Sequence, residues 1–287
     1  MESSILKSMN VIQPIIERKL ASQPDDINLL KRLEEIYRQK GELIAAKKIA
    51  RKLLSLDENS DYIKVLNNLI SSFSPNDWQQ NIFWPTPYIH QENVLCEQEH
   101  QDLLQYCYSK KAHFDVASVG KKDGVIKKDL NFRNQTSYDL DNQGIELVYN
   151  KLKQHVISGL SELGLQRDKI KIHAIQISQT PKGGYGKVHS DGVPGTNETP
   201  LREFSFLYYP ASQPKAFTGG DLLLYDTNFK KNKFSSNLTK ISLSPNSLVL
   251  FPRYFHHEIT QVQSPSALAW EDGRFAILIR LKVEDGW

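Results

Sequence analysis

The chain has 287 residues, with 36 Lys and Arg against 33 Asp and Glu, for a formal net charge of +3. Its 39% hydrophobic, 10% aromatic and 24% charged content is that of a packed globular protein and excludes a disordered chain. The near balance of charge supplies no strong field for nucleic acid or an anionic membrane, and no apolar run approaches the roughly 18 residues of a membrane span.

The opening residues MESSILKSMNVIQPII lack the basic and apolar regions of a secretion signal. Two cysteines, Cys96 and Cys107, form no CxxC pair. Both features predict a cytoplasmic protein in a reducing compartment.

Residues 1–75 read as helix. Leu30, Leu33, Ile36 and Tyr37 stand at helical spacing, Gly41 breaks the run, and Ala45, Ala46, Ile49, Ala50, Leu53 and Leu54 resume it. The short turn predicts an antiparallel helical hairpin, and Ile63, Leu66 and Leu69 predict a third helix over 62–69. With Leu30, Tyr37, Gly41 and Ala46 at its aromatic, small and turn positions, the segment resembles a tetratricopeptide repeat. One repeat alone buries too little surface to stand by itself, so these helices should lean on the rest of the chain or on a partner. Residues 76–83 read as a linker with Ser, Pro and Asn around it.

From residue 84 the composition changes. Helices are expected over 97–110 and 144–163, followed by short strands over 171–178, 203–209, 221–225, 247–251 and 274–283. Strands separated by turns, with helices in front, predict an α+β fold in which helices back an antiparallel sandwich or barrel.

His189-Ser190-Asp191 is the sharpest local feature. Residues two apart on an extended segment project to the same side, so an imidazole and a carboxylate can reach one metal ion. A second histidine comes from Phe251-Pro-Arg-Tyr-Phe-His256-His257-Glu258-Ile259. Two imidazoles and one carboxylate make a facial triad for non-haem Fe(II). Beyond them, Arg274, Ala276, Leu278 and Arg280 share one face of a strand, and an inward guanidinium needs an anion such as a dicarboxylate.

The order His189-x-Asp191, a strand ending in Tyr209, Gly219-Gly220-Asp221, Leu-Val-Leu-Phe-Pro, His257-Glu-Ile-Thr-x-Val and Gly273-Arg274 resembles the 2-oxoglutarate and Fe(II)-dependent dioxygenases of the prolyl-4-hydroxylase type. The resemblance covers residues 84–287 and implies a double-stranded β-helix (jelly roll). It implies His189, Asp191 and His257 as iron ligands, the last chosen over His256 because Glu and an aliphatic residue follow it. It also implies Arg274 on the far carboxylate of 2-oxoglutarate, Tyr209 at the cosubstrate, and Arg133 near the substrate. The family's cosubstrate tyrosine falls at Thr180 here, with Tyr185 as the candidate substitute, and residues 264–272 read as an inserted loop. Arg280 is either a second cosubstrate contact or a strand-end residue, the latter favoured. Fe(II) and 2-oxoglutarate are the implied cofactors, with ascorbate a candidate.

Within that resemblance the helical front end favours a peptide or protein substrate, proline being the first residue to test. The alternative is a free amino acid or natural-product intermediate, with the helices serving homodimerisation. Charge balance speaks against nucleic acid, and the intact triad against an inactive interaction module.

Overall fold

The computed structural model describes residues 4–56, 83–120, 126–162, 170–191 and 203–283. The helix expected over 62–69, and all but the last residue of the linker expected over 76–83, lie outside the described residues. In chain order the elements are helices α1 (Ser4–Ser22), α2 (Ile27–Lys40) and α3 (Leu43–Leu56), strand β1 (Ile89–Glu92) and helix α4 (Glu97–Ser109). Short strands β2 (Asp115–Val116), β3 (Ser118–Gly120), β4 (Ile126–Lys128) and β5 (Thr136–Asp139) precede helix α5 (Asn142–Glu162). Then come β6 (Ile170–Thr180), β7 (Gly186–His189), β8 (Glu203–Tyr209), β9 (Thr218–Gly219), β10 (Leu222–Asn228) and β11 (Lys233–Ile241). The last are β12 (Ser247–Pro252), β13 (His257–Ile259), β14 (Val262–Gln263) and β15 (Arg274–Val283). Each helix and strand expected within the described residues has its counterpart.

The chain divides into two compact units, one comprising Met1–Thr86 and Leu223–Ile241, the other Pro87–Leu222 and Ser242–Trp287. In the first, Asp26 accepts from the backbone N–H groups of Asn28 and Leu29 and starts α2. Gly41 ends it at φ 80°, with its N–H on the Arg38 carbonyl and that of Glu42 on Tyr37. Leu33 and Ile36 of α2 pack with Met9 and Ile16 of α1, and Leu30 packs with Leu53 of α3. The opposite side of α2 carries a buried charge cluster. Arg38 bonds Glu34 at 2.9 Å, Asp226 of β10 at 3.0 Å and Thr239 of β11 at 3.3 Å. A guanidinium in this setting is tolerated because carboxylates and a hydroxyl satisfy its donors.

The second unit is built on a seven-stranded sheet in the order β1-β12-β8-β15-β6-β5-β2, with every pair antiparallel. Alternation assigns its faces. Phe204, Phe206 and Tyr208 of β8, Leu248 and Leu250 of β12 and Phe275, Ile277, Ile279 and Leu281 of β15 join Leu103 and Cys107 of α4 and Val148, Leu152, Val156 and Leu160 of α5 in one core. The i, i+4 spacing on α5 makes that stripe, and each such side chain contributes about 1.5–3 kcal/mol on full burial. Ser205, Tyr209, Thr180, Arg274 and Arg280 occupy the intervening positions and project from the other face of the sheet. Every residue of β8 except Leu207 is nonetheless buried, because both faces are covered.

Candidate metal centre

Antiparallel pairing of β7 with β13 sets His189 directly opposite His257, with ring centroids 4.4 Å apart. Two residues on, Asp191 places one carboxylate oxygen 3.7 Å from His189 Nε2 and the other 3.8 Å from His257 Nε2. These three residues offer one ligand atom each, all within 4.8 Å of one another, and are the one such group of His, Cys, Asp or Glu among the described residues. His257, not His256, completes the cluster.

Backbone carbonyls fix both imidazoles. His189 Nδ1 lies 2.6 Å from the Lys187 carbonyl and His257 Nδ1 lies 3.0 Å from that of Phe255. A carbonyl only accepts, so each Nδ1 carries the proton and each Nε2 turns a lone pair toward Asp191. Burial, reinforced by His257, pulls the His189 pKa down to about 3, and burial lowers that of His257 as well. Burial by itself raises the Asp191 carboxyl, but His257, His189, Arg133 and Arg280 outweigh it, and the carboxylate stays ionised. Two neutral nitrogen donors and one anionic oxygen suit a divalent first-row metal with open positions.

A second bracket holds the Asp191 backbone. The Arg253 guanidinium donates to the Asp191 carbonyl and pairs with Glu203, and the Asp191 N–H returns a 3.0 Å bond to the Arg253 carbonyl. Ser205 Oγ donates to Asp191 Oδ2 at 3.3 Å. Sequence reasoning did not single out Arg253, Glu203 or Ser205, since their only signal is position on, or directly after, strands flanking the cluster.

Arg274 opens β15 and is 1% exposed. Its Nε donates to the Gly220 carbonyl at 2.8 Å, while Nη1 and Nη2 have no partner among the described residues. The guanidinium stands 5.2 Å over the Tyr209 ring, and the Tyr209 hydroxyl also lacks a partner there. Burial pushes that phenol up to about 12, with Arg274 opposing. Thr180, directly across from Arg274 in register, adds a second buried hydroxyl without a partner among the described residues. Gly220 makes room for all of this. It sits at φ +66°, and a Cβ there would lie 2.8 Å from Arg274 Cδ.

Arg133 reaches the cluster from outside the strands that carry it. Its backbone bridges to Gly186 of β7, and its Nη2 lies 2.6 Å from His189 Nε2. A guanidinium can only donate, so Arg133 occupies the lone pair that the cluster would present to a metal.

Residues 175–279, a span that holds all three clustered side chains and Arg274, match the family model of the 2OG-Fe(II) oxygenase superfamily. The chain carries a 2OG-Fe(II) oxygenase domain. It is a dioxygenase on a jelly-roll fold, of a family whose metal is Fe(II) and whose cosubstrate is 2-oxoglutarate, and His189, Asp191 and His257 form its candidate iron site. The chain is 24% identical over 271 residues to an uncharacterised PKHD-type hydroxylase of Synechocystis, covering 91% of this chain and 86% of that protein. It is also similar to a Trichoplax adhaerens prolyl hydroxylase solved with a hypoxia inducible factor peptide fragment, at 19% identity and a TM-score of 0.48, covering 80% of this chain and 96% of that one. For a Pseudomonas putida prolyl-4-hydroxylase the values are 14% and 0.43, covering 69% and 93%.

Tyr185 and residues 264–272 also have defined surroundings. Tyr185 donates its hydroxyl to the Asn131 carbonyl at 3.2 Å, leaving Tyr209 as the phenol against Arg274. The segment expected as an insertion, 264–272, folds back on the domain. Trp270 packs edge-on against Phe275 and Phe114, and its carbonyl accepts from Gln179 at 3.0 Å.

Proposed function

We propose that this dioxygenase hydroxylates a peptidyl residue, proline being the first to test. His189, Asp191 and His257 hold Fe(II), and Arg274 with Tyr209 holds the far carboxylate of 2-oxoglutarate. The orphaned end of Arg274 carries this reading. A guanidinium buried this deeply is costly unless an anion meets it, and a dicarboxylate entering from outside meets two free donors and an adjacent phenol at once. With Fe(II) and 2-oxoglutarate bound, the overall reaction converts substrate C–H, 2-oxoglutarate and dioxygen into substrate C–OH, succinate and carbon dioxide.

The chain's own part is ligation and orientation. Lys187 and Phe255 carbonyls keep both Nε2 atoms free for metal. Arg253 and Ser205 aim Asp191. A carboxylate ligand at Asp191, rather than a small residue that leaves room for halide, favours hydroxylation. Helices α1–α3, beyond what an oxygenase core needs, support a polypeptide substrate, and the PKHD-type hydroxylase name of the Synechocystis relative supports hydroxylation. A cytoplasmic setting belongs to the same reading and is supported by the free thiols of Cys96 and Cys107. Incubation of the iron-loaded protein with 2-oxoglutarate and proline-containing peptides tests it, with a 16 Da gain expected on the peptide. Succinate formation with free amino acids but no gain on any peptide would replace it by the alternative, a free amino acid or natural-product intermediate.

A further inference from the structure

Positive charge beside the candidate iron site exceeds what the site itself uses. Arg253 is matched by Glu203, and Arg274 is matched on the proposed reading by 2-oxoglutarate. Arg133 and Arg280 remain, and both help to hold the Asp191 carboxyl low. Arg280 stands opposite Ser205 in the β15–β8 register, and Ser205 bonds Asp191. Among the described residues neither Arg133 nor Arg280 forms an ion pair within 4.0 Å, and Arg133 Nε is buried with no partner.

Metal loading sharpens the imbalance. The His189 Nε2 lone pair serves either Arg133 or a metal, never both. Once a metal takes it, and takes the charge of Asp191 as well, Arg133 loses its hydrogen-bond acceptor and Asp191 no longer offsets the charge of Arg280. Two guanidinium groups in a partly dry site then call for an anion, and a planar carboxylate suits two planar forks.

We propose that Arg133 and Arg280 form an anion seat that holds a carboxylate of the substrate next to the carbon that is hydroxylated. The seat rests on the iron-site reading above and narrows its substrate to one bearing a carboxylate at or beside the target residue. That carboxylate comes either from a free α-carboxyl, as in a terminal or free amino acid, or from an acidic side chain adjoining the target.

Binding calorimetry on the full chain, loaded with Mn(II) and 2-oxoglutarate, separates these sources and reads the seat without turnover. The probes are N-acetyl-L-proline, its neutral amide, and N-acetyl-L-prolyl-L-aspartic acid α-amide, whose side-chain carboxylate is free. At least one acidic probe should bind about tenfold or more tightly than the neutral amide, and Arg133→Met and Arg280→Met should each erase that preference. Arg133→Lys, which keeps the charge, should retain part of it. Equal binding of acid and amide by the native protein overturns the seat without recourse to any variant. So does an Arg280→Met protein that loses affinity for 2-oxoglutarate while keeping its preference for the acid. Mn(II) stoichiometry near one in all these proteins keeps the iron reading intact whatever happens to the seat, whereas absence of Mn(II) binding by the native protein overturns both.

Discussion

Arg274 and Thr180 face each other across β15 and β6, and both end in buried polar atoms without a partner among the described residues. A pair arranged this way is unfavourable to the isolated protein and favourable to a complex with an anion. Arg274→Met should therefore weaken 2-oxoglutarate binding by about 2–5 kcal/mol, at least roughly thirtyfold, while leaving the cosubstrate-free melting temperature unchanged or higher. Calorimetry and thermal melts on the same samples check both halves. A fall in melting temperature with unchanged binding would make Arg274 a structural residue.

Gly220 and Gly183 form a controlled comparison. Both have positive φ, but a Cβ at Gly220 meets Arg274 Cδ at 2.8 Å, whereas one at Gly183 meets nothing within 4 Å. Each change to Ala should cost about 1–3 kcal/mol in urea unfolding from backbone strain. Only Gly220→Ala should also raise the dissociation constant for 2-oxoglutarate, because only there is the guanidinium displaced.

In the helical unit, Arg38→Met leaves Glu34 and Asp226 buried without their cation. Loss of about 3–5 kcal/mol of stability is expected by denaturant titration. Adding Glu34→Gln and Asp226→Asn should recover much of it, since the penalty lies in the uncompensated carboxylates and not in the missing side chain.

Cys107 is fully buried in the core between α4 and the sheet, and burial raises its thiol, while Cys96 is exposed. A thiol reagent should label one cysteine per native chain and two after denaturation. Native labelling of neither would point to a disulfide.

What the chain announced in advance follows from local periodicity. Strands β8 and β15 read clearly because apolar residues run through them, and His189 with Asp191 read as a ligand pair because a two-residue step on an extended segment is enough to bring them together. Strand β11 did not read as one. Ser235, Ser236 and Asn237 carry no strand preference, and the segment is extended because it pairs with β10 and lies against α2. The bracket of Glu203, Arg253 and Asp191 was equally hidden, since its members lie 12 to 62 residues apart and meet only through the pairing of β8 with β12. Thr180 looked like a missing tyrosine, and only register shows that it faces Arg274.

The central claim is that His189, Asp191 and His257 hold the iron that couples 2-oxoglutarate decarboxylation to oxidation. Succinate release from the purified full chain, supplied with Fe(II), 2-oxoglutarate and air, tests it most directly, with His189→Ala as the comparison. Native protein should bind about one iron and release succinate, and the variant should do neither while keeping its fold by circular dichroism. Equal succinate release from both proteins would contradict the assignment.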